Sequence, residues 1–364
     1  MKIAVTCGGT GGHVFPGVAT ASALKAKGHD VRIVLSGRSV EGETPGGWDG
    51  GIIHVPCRQP RWRDPVNAAK SLFSLVSAFF SALAQLRRFR PRALLAMGSY
   101  TSIPPVLAAR VLRIPVVLHE ANAIPGVAVS RLCHFAEKVC IAFDEAAKHL
   151  PRSVKTVNTG LPVRSGIAGQ SAEDLADPSR FTILVMGGSQ GARAVNEAVS
   201  GAVRLLAQDP EEAMHLRVIH LAGRSNEDAV RQAYTGIDSI PVTVIGFSNE
   251  MGKLYAASDF CISRAGAASC FELCLCGIPA LLVPLPGLAH DHQTANARAM
   301  VRLGACDLIA QAELTSEGLS QYIKTIRRDN AKQAALKSAL LANARPNAAT
   351  ELADCVLQAA NVRP

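Results

Sequence analysis

Aromatic side chains make up only 5% of the 364 residues. With so few stacking platforms and no recognised reading module, the chain is not built to read nucleic acid, in spite of a net charge of +9. Paired zinc spacing is missing from the ten cysteines. Cys270, Cys274 and Cys276 form their one cluster, and on a helix Cys276 turns away from the other two. They read as small buried residues of a reducing compartment. The N-terminus enters the apolar run Ile3-Ala4-Val5-Thr6 without an h-region or cleavage site, so export is not expected. No Lys-Ser/Thr pair follows any glycine turn, which rules out a Walker A loop and argues against nucleotide hydrolysis.

What is present is a pair of glycine turns. Gly8-Gly9-Thr10-Gly11-Gly12-His13 follows Ile3-Ala4-Val5-Thr6, and Gly187-Gly188-Ser189-Gln190-Gly191 follows Thr182-Ile183-Leu184-Val185-Met186. Each runs into an alanine-rich segment with helical spacing, residues 17–27 and 192–207. Strand, glycine turn and helix together aim unpaired backbone N–H groups and the positive end of a helix dipole at an anion. Neither turn keeps the full dinucleotide fingerprint, but a matched pair points to two phosphate-handling domains that face one another.

Further apolar runs near 31–35, 52–55, 93–97, 114–118, 139–142 and 155–157 alternate with helical spacing in the first half. The second half repeats the pattern with runs near 181–186, 217–222, 242–245, 259–263 and 280–284. Alternation of this kind predicts an α/β fold with parallel, doubly wound sheets. The boundaries expected are 1–164 for the first domain and 165–346 for the second, with 166–180 as a polar linker and a last helix at 347–361 packing back on the first domain. Charge is uneven between them. Residues 1–164 hold 21 Lys and Arg against 9 Asp and Glu, a balance of +12, and the remainder holds 17 against 20, a balance of −3. The first half therefore seeks an anionic partner.

Residues 66–89 show which partner. Lys70, Ser74, Ser77, Ser81, Gln85 and Arg88 recur at steps of three and four, and Leu72, Phe73, Leu75, Val76, Phe79, Phe80, Leu83 and Leu86 fill the rest. Such a polar stripe does not suit a transmembrane span. Arg58, Arg61, Trp62 and Arg63 precede the helix and Arg87, Arg88, Arg90 and Arg92 end it. This is the pattern of a helix lying on an anionic membrane surface, with Phe73, Val76 and Phe80 as docking residues, although a core-packing helix reads the same way.

In open α/β sheets ligands lie off the C-terminal ends of the strands. His119-Glu120-Ala121-Asn122 falls at such an end, and so does the run from Arg264 through Gly266-Ala267-Ala268 to Glu272. His290-Asp291-His292 has a spacing that a metal site would use, but without further ligands it reads as a polar loop, and no metal is expected.

Taken together, Gly8-Gly9-Thr10-Gly11-Gly12-His13, His119-Glu120-Ala121-Asn122, Gly187-Gly188-Ser189-Gln190-Gly191 and the stretch from Asp291 to Ala297 resemble the signature stretches of the bacterial MurG transferase family, in order along the whole chain. The resemblance implies a GT-B glycosyltransferase fold, two Rossmann-like doubly wound domains separated by a cleft. It also implies inverting transfer of N-acetylglucosamine from UDP-N-acetylglucosamine to undecaprenyl-linked lipid I, giving lipid II, without a cofactor. The enzyme would be peripheral, on the cytoplasmic side of the cell membrane. By the same resemblance Thr10, Gly11, Gly12, Asn122, Arg164, Ser189, Gln190, Gly191, Ala267, Ala268, Glu272, Gln293 and Asn296 are donor-binding, with Glu272 on the ribose hydroxyls and the two amides on the sugar. The acceptor diphosphate is expected at the helix after Gly11-Gly12. His13 and Glu120 are rival candidates for the base that takes the acceptor's proton. His13 has a helix N-terminus that disfavours its imidazolium form.

Three positions depart from the family pattern: Ser99 stands in place of a second glycine, Leu161 in place of an asparagine and Ala265 in place of a serine. Other readings on the same architecture are a UDP-N-acetylglucosamine 2-epimerase, another lipid-acceptor glycosyltransferase, and a catalytically silent nucleotide-sugar scaffold.

Overall fold

The computed structural model describes residues 1–9, 11–37, 48–58, 64–164, 166–172, 175–188, 191–287 and 291–361. The chain divides into two compact units, Met1–Ser165 with Arg345–Pro364, and Gly166–Ala344.

The first unit is built on seven strands: β1 (Lys2–Thr6), β2 (Asp30–Leu35), β3 (Gly51–His54), β4 (Ala93–Ala96), β5 (Val116–Glu120), β6 (Lys138–Ile141) and β7 (Thr156–Asn158). They lie in the order β3-β2-β1-β4-β5-β6-β7, every pair parallel. Successive side chains leave a strand on opposite faces, so both faces need cover. Ala4, Leu94 and Leu118 pack under α2 (Pro65–Phe89) and α3 (Ile103–Val111). Ile3, Val5 and Leu95 meet Val14 and Leu24 of α1 (Gly11–Ala26) and Leu352 and Val356 of α13 (Ala348–Asn361). A short α4 (Val127–Leu132) follows β5.

The second unit carries β8 (Phe181–Met186), β9 (Leu216–Leu221), β10 (Val242–Ile245), β11 (Phe260–Ser263), β12 (Ala280–Leu282) and β13 (Asp307–Leu308) in the order β10-β9-β8-β11-β12-β13, again all parallel. Its helices are α5 (Arg193–Leu206), α6 (Pro210–Ala213), α7 (Glu227–Ala233), α8 (Met251–Ala256), α9 (Ala267–Cys276), α10 (His292–Arg302), α11 (Ser316–Arg328) and α12 (Asn330–Ala342). Strand order reverses between β1 and β4 in one sheet and between β8 and β11 in the other. Both glycine turns therefore leave a strand that borders a switch point, where neighbouring helices part and leave a crevice.

Several boundaries differ from the sequence reading. Strand β5 runs two residues later than 114–118, because Pro115 has no N–H to give the ladder, and His119 and Glu120 thus belong to the strand itself. Helix α1 starts at Gly11 rather than near Gly17, which brings His13 into its first turn. The stretch from Gly166, expected as a linker, packs on the second unit: Ile167 is buried and its carbonyl accepts from Cys276 Sγ at 3.7 Å. Strand β13 is too short to leave a pattern in the sequence.

Within α2, residues 67–89 are long and apolar enough to cross a membrane by length and composition. Ala78, Ala82, Leu86 and Phe89 are nevertheless buried in the core of the first unit. The opposite stripe is bare, with Phe73 77%, Phe80 61%, Leu72 58% and Val76 45% exposed.

Candidate functional site

The first unit's candidate site begins with the turn after β1. Gly9 has φ +113°, and a Cβ there would lie 2.4 Å from Ser99 Oγ, so only glycine fits between the turns that follow β1 and β4. Ser99, where a second glycine was expected, still permits this close approach. Thr101 Oγ1 donates to Gly8 O at 2.9 Å and fixes the turn from the other side. The chain then enters α1 with Gly11 and Gly12, and His13 follows, half-buried. Thr10 lies outside the described residues. The guanidinium of Arg164 sits 4.8 Å from the ring centroid of Phe15, two residues beyond His13.

The end of β5 brings two buried titratable groups to the same edge. His119 is fully buried, and its Nε2 donates to Gly160 O at 3.0 Å. Burial pushes its pKa down to about 4; the Gly160 bond opposes the shift and the nearby His13 adds to it. The ring is thus neutral near pH 7. Glu120 has both carboxylate oxygens engaged: Oε1 accepts from Asn122 N at 2.8 Å and Asn122 Nδ2 at 3.1 Å, and Oε2 accepts from Gly126 N at 2.8 Å. Burial pushes its pKa up, while these bonds hold it down. The carboxylate therefore ties down the loop 121–126, and Asn122 is oriented by it.

In the second unit the turn after β8 is closed by Gly191, which has φ +75° and would place a Cβ 2.3 Å from Ala222 O. Ala222 is itself held: Asn196 Nδ2 donates to its carbonyl at 3.0 Å, and Asn196 is linked through buried His220 to Tyr234. Ser189 and Gln190 lie outside the described residues. Helices α5 and α9 start at the C-terminal ends of β8 and β11, and their N-cap residues, Ala192 and Gly266, make no side-chain cap bond. Among the described residues, neither N-cap side chain covers the backbone N–H groups at these two helix mouths, which lie on either side of the switch point. Exchange of Gly191 for alanine is expected to weaken UDP binding by roughly tenfold or more, since a strained left-handed residue costs on the order of 1–3 kcal/mol before the clash with Ala222 is counted. Titration calorimetry checks this, and an unchanged Kd would show that the turn does not hold the nucleotide.

Ala267 and Ala268 open α9, and Glu272 lies just over one turn further on, buried. Its Oε2 accepts from Tyr255 Oη at 2.8 Å. Burial raises the Tyr255 pKa, and the Glu272 charge adds to the rise, so the phenol stays a donor. The two amides of α10 turn toward the protein: Gln293 Oε1 accepts from Leu285 N at 2.9 Å, and Asn296, fully buried, donates to Ala265 O at 3.1 Å. His290 lies outside the described residues. Among the described residues no group of three or more His, Cys, Asp and Glu side chains is placed to hold a metal ion.

Sequence reasoning placed Arg264 at this edge without giving it a role, and it missed Tyr255. Arg264, buried at the end of β11, donates from Nη1 to Val283 O at 3.0 Å and Pro284 O at 3.3 Å, and from Nη2 to Gln311 Oε1 at 2.6 Å, so it pins the loop that leads to Gln293. Tyr255, which orients Glu272, sits on a different helix. Arg264 had one visible signal, a charged residue inside a run of small ones; Tyr255 had none. A cavity of about 370 Å³ lies at the opposite ends of β8 and β11, but its charged groups serve the fold. Asp259 accepts from Thr182 N, Arg180 donates to Ala213 O and Leu216 O, and Arg327 pairs with buried Glu212.

Residues 3–141 match the model of the glycosyltransferase family 28 N-terminal domain, and residues 182–352 match that of the glycosyltransferase family 28 C-terminal domain. A UDP-N-acetylglucosamine--N-acetylmuramyl-(pentapeptide) pyrophosphoryl-undecaprenol N-acetylglucosamine transferase of Syntrophotalea carbinolica is 34% identical over 93% of this chain and 93% of its own length. The protein of the same name from Myxococcus xanthus is 33% identical over 98% of this chain and 92% of its own. Among solved structures, Acinetobacter baumannii MurG superposes with a TM-score of 0.77 at 29% identity, covering 98% of this chain and 100% of that one. A UDP-GlcNAc 2-epimerase from Neisseria meningitidis shares the fold, with a TM-score of 0.69 at 13% identity. The two parallel-sheet units are of the GT-B class, and the chain belongs to the MurG family of glycosyltransferases.

Proposed function

We propose that this chain transfers N-acetylglucosamine from UDP-N-acetylglucosamine to lipid I, forming lipid II. The observation that carries the reading is the likeness to transferases of that name over nearly the whole chain, with a glycine turn and helix mouth beside each switch point. In the reaction the muramyl hydroxyl attacks the anomeric carbon, the bond from that carbon to the UDP oxygen breaks, and the configuration inverts. The hydroxyl proton goes to a base, and UDP carries away the negative charge.

Each role has a group suited to it. His13 takes the proton; its neighbour His119 is neutral and so does not compete for charge. Glu120 holds the loop that presents Asn122. The uncapped mouths of α5 and α9 receive the diphosphate as charge builds on it, with Ser189, Gln190 and Gly191 in the turn and Ala267 and Ala268 at the second mouth. Glu272, held by Tyr255, accepts from the ribose hydroxyls. Gln293, whose Oε1 accepts from Leu285 N in the loop that Arg264 pins, offers its amide NH₂ to the sugar, and Asn296 braces the turn before α9 through Ala265 O. In the first unit the candidate donor-binding residues are Thr10, Gly11, Gly12 and Arg164.

The exposed stripe of α2 and the arginines at its end favour a peripheral enzyme on the cytoplasmic face of an anionic membrane, where a polyprenyl-linked acceptor resides. An epimerase needs no such stripe. Incubation with labelled UDP-N-acetylglucosamine and lipid I tests the whole reading. Label is expected in the lipid fraction and free UDP in equal amount; label that stays on the nucleotide would refute it.

A further inference from the structure

The N-terminal edge of the first sheet, away from the glycine turn, holds a second cavity of about 290 Å³, lined by Lys2, Arg32, Gln85, Arg88 and Phe89. Strand register explains the gathering. Ala4 pairs with Arg32, and Lys2 lies two residues before Ala4, so Lys2 and Arg32 leave the sheet on the face that α2 covers. Gly51, the β3 partner of Arg32, has no side chain and leaves room beside the arginine stem. The last turn of α2 closes the cavity with Arg88 and the buried ring of Phe89, with Arg32 Cζ 4.5 Å and Lys2 Nζ 5.7 Å from that ring's centroid. Among the described residues no carboxylate lines the cavity. Asp30 is the register partner of Lys2 on β2.

Three like charges held around one hollow repel, and an anion seated between them reverses the sign of that energy. Two guanidinium forks and an ammonium suit a phosphate, which accepts in several directions at once. Arg88 follows Phe80 by eight residues, about 12 Å along the helix, so the hollow adjoins the bare stripe of α2.

We propose that the hollow between Lys2, Arg32 and Arg88 is a discrete site for the phosphodiester headgroup of an anionic phospholipid. The inference rests on the membrane-facing reading of α2 and goes beyond it. A diffuse basic surface attracts any anionic bilayer in proportion to its charge, whereas a built site depends on particular side chains. It fixes how the first unit, with α2 already seated in its core, is turned against the bilayer.

The test is a charge-matched pair of full-length variants, Lys2→Gln with Arg32→Gln and Arg87→Gln with Arg90→Gln. Each removes two positive charges from exposed residues, so both should keep the fold. Binding is measured to vesicles of phosphatidylcholine alone and of phosphatidylcholine mixed with phosphatidylglycerol. The proposal expects the first pair to lose roughly 30-fold on the mixed vesicles and the second only a few-fold, with no change for either on phosphatidylcholine alone. Equal losses would mean diffuse attraction and overturn the site. Titration with short-chain phosphatidylglycerol below its micelle concentration, followed through the Lys2 and Arg32 amide signals, does not depend on docking at all. It should saturate at one lipid per chain, far below the concentration at which inorganic phosphate acts. A response to inorganic phosphate at the same concentration, or none to the lipid, would also overturn it. Loss of vesicle binding with the short-chain response intact would instead count against the docking role of α2.

Discussion

Exchange of His13 for alanine is expected to lower turnover by roughly 10²–10⁴-fold while UDP affinity stays within about threefold. A general base acts only while the proton moves, so its loss falls on the chemical step and not on the donor complex. The case for His13 over Glu120 rests on where His13 sits and on what Glu120 is already doing. His13 is half-buried in the first turn of a helix that leaves the glycine turn, at the strand edge where ligands gather. Glu120 has both oxygens committed to the loop 121–126. Glu120→Gln keeps one acceptor oxygen and turns an NH₂ against a backbone N–H, which costs on the order of 1–3 kcal/mol. It should therefore lower the unfolding temperature and disturb Asn122, with any loss of turnover tracking the loss of stability. Single-turnover rates and thermal unfolding of the two variants decide the matter. A stable Glu120→Gln protein with turnover down more than 100-fold, beside an active His13→Ala protein, would exchange the roles.

The second large effect concerns the membrane. Changing Phe73, Val76 and Phe80 together to aspartate is expected to reduce partition onto vesicles containing phosphatidylglycerol by more than about 10³-fold, with the fold intact. Each of these side chains is at least 45% exposed, so its removal opens no cavity in the core. Burying such a side chain contributes roughly 1.5–3 kcal/mol, and three new negative charges repel the anionic surface besides. Sedimentation with vesicles measures the partition, and activity on a detergent-dispersed acceptor should persist. Unchanged sedimentation would mean that the stripe serves another purpose.

Much of the fold could be read from residue order. Parallel strands buried on both faces read as short continuous apolar runs, and runs such as Thr182 to Met186 carry that signal locally. Glycine turns are legible for the same reason: the requirement for a left-handed or tightly approached backbone acts on single residues, as at Gly9 and Gly191. The exposed stripe of α2 was legible as periodicity, but its rival reading as a core helix was half right, because Ala78, Ala82 and Leu86 on the other side are core.

Sequence alone determined the class of fold, the two glycine turns that leave β1 and β8, and the family, since each rests on local pattern or on motifs kept in order. Only the tertiary structure decided what the polar residues at the strand ends are bonded to. Glu120 emerged as a loop anchor and Arg264 as the clamp of the loop before Gln293, and Tyr255 was found to hold Glu272 from 17 residues away. The physical reason is that a hydrogen bond has no period. Its partner is set by where separate strands and helices come to rest, and the hollow of Lys2, Arg32 and Arg88 exists only because three such elements end side by side.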